Sequence, residues 1–247
     1  MAIVAPTAIE PPAQAAAVRV ASARSLLHEA ARLDAAFSTS FGAEDMVLLD
    51  LIRAEGLAVH VFTLDTGRLP EETYALMQRV EQRYGHVVAV YAPDPHALRR
   101  LVADNGINGF YDSVAKREAC CAVRKLEPLG RALAGRGAWI TGLRALQSSA
   151  RAGTAPTEAD ARRNLTKYNP LHDWSEADVW DYIRAHQVPY NALHDRGYPS
   201  IGCAPCTRAI TPGEDLRAGR WWWELQSQKE CGLHLEGGQL RRGAGPS

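Results

Sequence analysis

The 247-residue sequence lacks three features that would each point to a particular class of protein. Lys and Arg, 28 in total, balance 28 Asp and Glu, so the chain has no basic field typical of a bulk nucleic-acid binder. No apolar run reaches the roughly 18–20 residues that a membrane-spanning helix needs. The opening MAIVAPTAIEPPAQAAAV has neither a basic start nor a long apolar core, unlike a secretory signal. These absences predict a soluble cytoplasmic protein with neither nucleic acid nor membrane as a partner.

Cysteine is scarce and unevenly distributed. The chain has two close pairs and one single residue: Cys120, Cys121, Cys203, Cys206 and Cys231. A reducing cytoplasm disfavours a disulfide framework. The distribution instead suggests four thiols that could share a metal and one left over.

Apolar runs and helical patterns alternate along the first 144 residues. Strands are predicted at 34–40, 57–65, 86–93 and 138–144, and helices at 13–33, 42–56, 70–84, 94–106 and 118–134. A last helix is predicted at about 175–186, where Ser175 and Asp178 resemble a capping box. This alternation is typical of an α/β fold with a mostly parallel sheet flanked by helices. We expect residues 1–12 to be disordered, 13–224 to form the α/β domain with a Cys-rich C-terminal portion, and 225–247 to form a mobile tail.

Ligands of such sheets bind beyond the carboxyl ends of the strands, where three polar segments are predicted. STSFGAED (38–45) offers Ser38, Ser40 and the Gly42 turn for an anion, although it lacks the GK[ST] ending of a Walker A loop. It could equally be an ordinary turn between strand and helix. LDTGRLPEETY (64–74) could shape a ribose site or be an ordinary polar loop. TGLRALQSSAR (141–151) is the third segment.

The adjacent pair in REACCAVRKLEPL (117–129) and the CxxC of GCAPCTRAI (202–210) suggest one metal site. Zinc is one candidate, but neighbouring thiolates converge poorly on one small ion. A [4Fe–4S] cluster is the other, because adjacent thiolates can each bind a different iron. Lys125 lies one turn after Cys121 and could link the thiolates to an anionic substrate.

Two features lie towards the C-terminus. Arg217 and Arg220 would project from one face of a helix and could form a fork for phosphate or sulfate, or simply a solvated face. Cys231, in KECGLH, could be an inert thiol or one activated by nearby cations.

Together these stretches resemble the assimilatory adenylyl-sulfate (APS) reductases of the phosphoadenylyl-sulfate reductase family. The resemblance covers about residues 36–235 and depends on SFGAED, LDTGRLPEETY, CC with CxxC, TGLRALQSSAR and KECGLH. It implies an adenine nucleotide alpha hydrolase-like fold and one [4Fe–4S] cluster per chain, held by Cys120, Cys121, Cys203 and Cys206.

The resemblance also implies a reaction. Cys231 would attack the sulfur of APS and release AMP, and thioredoxin or glutaredoxin would then reduce the Cys231 S-sulfonate to free sulfite. Lys125 would act between cluster and sulfate, His234 would tune the thiol, and Arg217 and Arg220 would bind the anionic groups.

Further substrate contacts follow from the same resemblance. Ser38, Ser40 and Gly42 would bind the phosphate. Adenine and ribose would contact Leu64, Asp65, Thr66 and Gly67. Gly142 would let the nucleotide approach the backbone, and either Arg144 or Arg151 would add an anion contact.

Other interpretations remain open at this point. The enzyme could act on the 3′-phosphorylated nucleotide (PAPS) or on both nucleotides. It could be an ATP-pyrophosphatase-like ligase or thiolase, although SFGAED lacks the second glycine and final serine of an SGGxDS loop. A zinc-stapled binding module is a third interpretation, and a homo-oligomer is possible in each case.

Overall fold

The computed structural model describes residues 12–148 and 151–224. Its helices are α1 (Pro12–Ala31), α2 (Ala43–Ala54), α3 (Glu71–Tyr84), α4 (Pro95–Asn105), α5 (Val114–Cys121), α6 (Glu127–Leu133) and α7 (Glu176–Ala185). Its strands are β1 (Ala35–Ser38), β2 (His60–Leu64), β3 (Ala89–Tyr91), β4 (Ala138–Ile140), β5 (Thr157–Asp160) and β6 (Leu165–Tyr168). Within the described ranges, no helix is both long and apolar enough to cross a membrane.

The six strands form one sheet in the order β3-β2-β1-β4-β6-β5. All neighbours are parallel except β5 and β6, which pair antiparallel at one edge. The predicted α/β class with a mostly parallel sheet is therefore confirmed. The chain order reverses between β1 and β4, and such a switch point opens a crevice at the carboxyl ends of the two strands.

Neighbouring residues of β1 point to opposite faces of the sheet, and helices pack against both faces. Phe37 packs with Leu27 of α1 and Met46 of α2 in the larger core. Ala36 packs on the other face with Phe62 and with Leu129 of α6.

The helix predicted at 118–134 is irregular. It consists of α5, a π-helical turn at Ala122–Leu126, and α6. A π-turn has one more residue than an α-turn and changes which side chains share a face, and such turns are frequent at functional sites.

Two further details bear on the predictions. The capping box of α7 is confirmed, since Ser175 Oγ accepts from Asp178 N at 3.1 Å and Asp178 Oδ2 accepts from Ser175 N at 2.8 Å. The prediction of a helix that carries Arg217 and Arg220 is wrong. Residues 216–219 form a turn, and Arg220 pairs with Thr207 in an isolated antiparallel bridge.

Candidate active site

A cavity of about 930 Å³ opens at the carboxyl ends of β1, β2 and β4. The following residues predicted to contact substrate or its sulfate line it: Ser38, Ser40, Leu64, Lys125, Gly142, Arg144, Arg151, Arg217 and Arg220. The structure thus brings together residues from five separate parts of the sequence, at the place where α/β sheets bind ligands.

The turn after β1 is held by a carboxylate. Asp45 Oδ2 accepts hydrogen bonds from the backbone nitrogen of Ser40 at 2.6 Å and from Ser40 Oγ at 2.8 Å. Burial raises the pKa of Asp45 to about 6, although the bonds from Ser40 act in the opposite direction. Ser38 is oriented by Trp139, whose Nε1 donates to Ser38 Oγ at 2.8 Å. Gly42 is the N-cap residue of α2.

Gly142 lies where the end of β4 meets the first turn of α2. A Cβ at this position would lie 3.1 Å from Glu44 Cβ and would overlap the Asp45 carboxylate. The absence of a side chain therefore allows two structural elements to approach closely.

The two arginines that the sequence left undecided have different surroundings. Arg144 is buried, and its Nε donates to Glu44 Oε1 at 2.8 Å in an ion pair, while its Nη1 donates to the carbonyl of Trp174 at 3.2 Å. Arg151 is only half-buried and donates through Nη1 to Gln147 Oε1. The Glu44 carboxylate thus offsets the charge of Arg144.

Arg220 forms part of the opposite wall. Its guanidinium lies directly over Gly202, where a Cβ would come within 2.6 Å of Arg220 Cζ. Its Nη1 donates to Ser200 Oγ and to the Ile201 carbonyl, each at 3.3 Å. Arg217 lines the same cavity from the preceding turn, so the two cations share a site without a common helix face.

The four cysteines line a second, smaller cavity with Arg68, Arg117, Arg124 and Lys125. None of the four forms a disulfide. Burial raises the pKa of Cys120, and it raises the pKa of Cys206 to about 12. Among residues 12–148 and 151–224, no group of three or more His, Cys, Asp or Glu side chains is arranged to hold a metal ion. The donor set is nevertheless chemically suited to an iron–sulfur cluster, since four thiols surrounded by cations share one cavity.

Both cavities share part of a wall. Lys125, Cys203 and Trp221 line the large cavity and also the cysteine cavity. Lys125 is therefore a cationic side chain placed between the residues predicted to bind an anion and the thiols.

The loop after β2 faces the cysteines. Thr66 is buried, its Oγ1 lies 3.3 Å from Cys203 Sγ, and its carbonyl accepts from Arg124 Nη1 at 2.6 Å. The Asp65 carboxylate accepts from the Gly67 nitrogen and from the Tyr74 hydroxyl, each at 2.8 Å. Leu64 is on the wall of the large cavity, whereas Asp65, Thr66 and Gly67 are not among its lining residues.

Comparison with known proteins now adds to this geometry. The family model described as the phosphoadenosine phosphosulfate reductase domain matches residues 34–209. This chain belongs to that family. An adenosine 5′-phosphosulfate reductase of Allochromatium vinosum is 61% identical over 218 residues, which cover 87% of this chain and 85% of the relative. One from Burkholderia cepacia is 55% identical over 199 residues, covering 81% and 80%.

A solved structure of the same family agrees with the fold. The phosphoadenylyl-sulfate (PAPS) reductase of Candida auris, as a phosphate complex, has a TM-score of 0.66 and 25% identity, covering 83% of this chain and all of that one. The predicted family and fold are thus confirmed.

Sequence reasoning missed several residues of this reductase-family cavity. Glu44 and Asp45 were not predicted as site residues, yet both line the cavity, where Glu44 contacts Arg144 and Asp45 contacts Ser40. Gln147 was not singled out at all. A carboxylate pair directly after the Ser-rich turn was the available signal.

Two predicted catalytic residues of the family lie outside the described residues. These are Cys231 and His234, which belong to the predicted tail 225–247. The predicted disordered segment 1–12 also lies outside them, except that α1 begins at Pro12.

Proposed function

We propose that this protein reduces adenosine 5′-phosphosulfate to sulfite and AMP, as an oxidoreductase of sulfate assimilation that supplies sulfite for cysteine biosynthesis. The two curated relatives, 61% and 55% identical, carry the name of this activity. One structural observation carries the proposal: Lys125 and Cys203 line both the cavity rich in cations and the cavity that holds four thiols.

The first step would be attack of the Cys231 thiolate on the sulfate sulfur. A bond forms between Cys231 Sγ and this sulfur, the bond from sulfur to the phosphate oxygen breaks, and AMP leaves with the electron pair. The protein then carries a Cys231 S-sulfonate. A thiolate is the reactive form of cysteine, and we propose that His234, three residues further on, tunes this thiol.

The second step requires a dithiol protein, for which we propose thioredoxin or glutaredoxin. One thiolate of the reductant attacks Cys231 Sγ and displaces sulfite. Its second thiol resolves the mixed disulfide, so the reductant becomes a disulfide and Cys231 is a thiol again. Both steps require that Cys231 reach first the substrate sulfur and then the reductant.

The cations of the cavity would offset the repulsion between thiolate and sulfate and stabilise the charge on the leaving phosphate. We assign these roles to Lys125, Arg151, Arg217 and Arg220. Arg144 also lines the cavity and is ion-paired with Glu44 at 2.8 Å, so either arginine is a candidate for the further anion contact.

The nucleotide would occupy the carboxyl edge of the sheet. We propose that Ser38, Ser40 and the Gly42 turn contact its phosphate and that Leu64 and Gly142 contact the nucleoside. Asp65, Thr66 and Gly67 keep their proposed contact with adenine and ribose, although neither they nor Gly42 are among the lining residues of the cavity in the described ranges.

Cys120, Cys121, Cys203 and Cys206 would hold one [4Fe–4S] cluster. Four thiols are a suitable ligand set for such a cluster. They would have to move closer together to bind it, because no group of three or more His, Cys, Asp or Glu side chains among the described residues is arranged to hold a metal ion. When bound, such a cluster would supply a thiolate-rich negative charge beside Lys125. Arg124, in the π-helical turn after Cys120 and Cys121, donates to the Thr66 carbonyl at 2.6 Å. This hydrogen bond connects that turn to the loop after β2.

The decisive experiment uses ³⁵S-labelled APS without reductant. The wild-type protein should acquire one SO₃ group on Cys231, and Cys231→Ser should acquire none while still binding AMP. Lys125→Ala should slow labelling roughly 100-fold, by analogy with loss of one charge-stabilising group. Lys116→Ala is the matched control, since Lys116 forms an exposed ion pair with Asp112 at 2.6 Å.

Two outcomes would contradict the proposal. Wild-type protein that stays unlabelled would exclude the S-sulfonate route, and pyrophosphate release from ATP would favour the ligase alternative. The PAPS reductase from Candida auris in the same family makes PAPS the second substrate to assay. A cytoplasmic location and a homo-oligomer remain predictions, checked by cell fractionation and by light scattering.

A further inference from the structure

The indole of Trp139 connects β4 to the end of β1 on the wall of the large cavity. Its Nε1 donates to Ser38 Oγ at 2.8 Å, and both residues line the cavity. Trp139 pairs with Ala36 in the parallel register, and Ser38 lies two residues further along β1. Side chains two residues apart in a strand share one face of the sheet, so the indole reaches along that face to the hydroxyl.

The indole ring is held in place by its surroundings. Trp139 is 2% exposed and packs in the smaller core with Phe62 and Leu129. The cationic groups of Arg163 and of Lys167, its partner in β6, lie over the ring at 5.4 and 6.0 Å from its centroid. Cations over an indole face attract it electrostatically. These contacts fix the plane of the ring and therefore the direction of its N–H group.

The hydrogen bond from Trp139 decides what the Ser38 hydroxyl can offer to a ligand. An indole N–H is a donor only, whereas a hydroxyl has one proton to donate and two lone pairs that accept. Ser38 Oγ must therefore accept from Trp139, and its own proton points elsewhere. Within residues 12–148 and 151–224, the indole is the only hydrogen-bond partner of this hydroxyl. The proton is consequently available to an acceptor in the cavity.

Ser40 differs from Ser38 in this respect, although it lies only two residues away. Its Oγ donates to Asp45 Oδ2 at 2.8 Å, so its one proton is already used. Donation from Ser40 to an anion would first require this bond to open. Of the two serines, Ser38 is therefore the one whose hydroxyl is prepared to donate.

We propose that Trp139 is a positioning residue whose N–H group makes Ser38 a hydrogen-bond donor to an anionic oxygen of the substrate. The inference rests on the proposed function for the identity of that substrate, a nucleotide whose phosphate contacts Ser38. Trp139 acts on the phosphate only through Ser38.

The sharpest change replaces Trp139 alone by 3-benzothienylalanine, in which a sulfur atom takes the place of the indole N–H. The side chain keeps nearly the same size and shape, so the core stays packed, but Ser38 loses the donor that directs its proton. We expect AMP and APS to bind about fivefold more weakly, a loss of the size that one neutral hydrogen bond carries. Ser38→Ala removes the donor to the phosphate itself and should weaken binding roughly tenfold.

The test is a double-mutant cycle for ligand binding. Dissociation constants for AMP and APS are measured by calorimetry in a Cys231→Ser background, which prevents turnover. The pH is kept well above the Asp45 pKa of about 6, so that Ser40 continues to donate to a carboxylate. The analogue at position 139 is examined with Ser38 present and with Ser38→Ala. If Trp139 acts through Ser38, the analogue should change affinity less than twofold once the Ser38 hydroxyl is absent.

Adenosine provides a readout that a merely structural role of Trp139 would not produce. It has the nucleoside but no phosphate, so its affinity, measured by competition with AMP, should be the same with tryptophan and with the analogue at position 139. A loss for adenosine as large as that for AMP would show that Trp139 supports the nucleoside site or the fold, and it would overturn the proposal.

Trp174 supplies a matched control. It is 1% exposed, and its Nε1 has no hydrogen-bond partner in the described part of the chain. The same analogue at position 174 exchanges the same atoms inside the core without removing a hydrogen bond. Its affinities for AMP and APS should match those of the parent protein. An equal loss at position 174 would show an effect of the foreign side chain itself and overturn the proposal.

The remaining outcomes are equally decisive. Unchanged affinity for AMP with the analogue at position 139 would overturn the proposal, as would an equal loss in the Ser38→Ala background. Failure of the parent protein to bind APS while it binds AMP would instead count against the proposed substrate, and the AMP cycle would still decide the role of Trp139. Thermal unfolding of the protein with the analogue at position 139 checks that the fold is intact.

Discussion

Replacing Gly142 by alanine should destabilise this protein, although the change adds only one methyl group. The new Cβ would overlap the Asp45 carboxylate and lie 3.1 Å from Glu44 Cβ, closer than nearly all real Cβ contacts. Relief requires the first turn of α2 to move away from β4 or Asp45 to give up its bonds from Ser40 at 2.6 and 2.8 Å. Overpacking of this kind typically costs about 2 kcal/mol.

A loss of about 2 kcal/mol corresponds to roughly 4–8 °C in melting temperature for a protein of this size. The assay is calorimetric unfolding, together with an AMP titration, because displacement of α2 should also weaken nucleotide binding. Gly130→Ala is the control within α6, where a Cβ meets nothing within 4 Å. It should stabilise the protein by about 0.5–1 kcal/mol, since glycine is unfavourable inside a helix. Equal melting temperatures for the two variants would refute this reasoning.

Three further predictions follow from single contacts. The folded protein binds the Asp45 proton more tightly than the unfolded chain does, because burial raises the pKa of Asp45 from 3.8 to about 6. This carboxyl therefore lowers the free energy of unfolding as the pH rises from about 4 to about 6, and Asp45→Asn should remove that part of the slope in urea titrations. Glu224→Gln should cost about 3–5 kcal/mol in thermal unfolding, because it leaves Arg117 without its buried carboxylate at 2.9 Å. Gly202→Ala should displace the Arg220 guanidinium, so that APS binds more weakly while the melting temperature changes little. Unchanged affinity for APS would exclude the proposed contact of Arg220 with the substrate.

The main alternation of helices and strands could be predicted because its signals are local. The strands β1 and β2 lie inside the predicted apolar runs, and the capping box of α7 follows from two residues three apart. The edge hairpin of β5 and β6 gave no comparable signal. Its strands are four residues long, and β5 reads TEAD, so it lacks a run of apolar or β-branched residues.

Non-local contacts decided the parts that the sequence did not predict. The resemblance implies that Asp65, Thr66 and Gly67 hold adenine and ribose, and this role stays a prediction. Local spacing gave no sign that Thr66 also contacts Cys203 and Arg124, which lie 137 and 58 positions away. Similarly, the ion pair of Arg144 joins it to Glu44, a residue 100 positions away.

The π-turn gives the clearest case of a feature that helical periodicity hides. A regular helix places Lys125 one turn after Cys121, on the same face, and this spacing predicted its link to the thiols. The inserted residue widens the turn at Ala122–Leu126. Arg124, the preceding residue, is buried against the Thr66 carbonyl, whereas Lys125 lines both cavities. Two consecutive cations therefore have different tasks, one holding the loop after β2 and the other lying between thiols and anion site. The proposed attack of a thiolate on a sulfate would need a cation at such a boundary, and the irregular helix places Lys125 there.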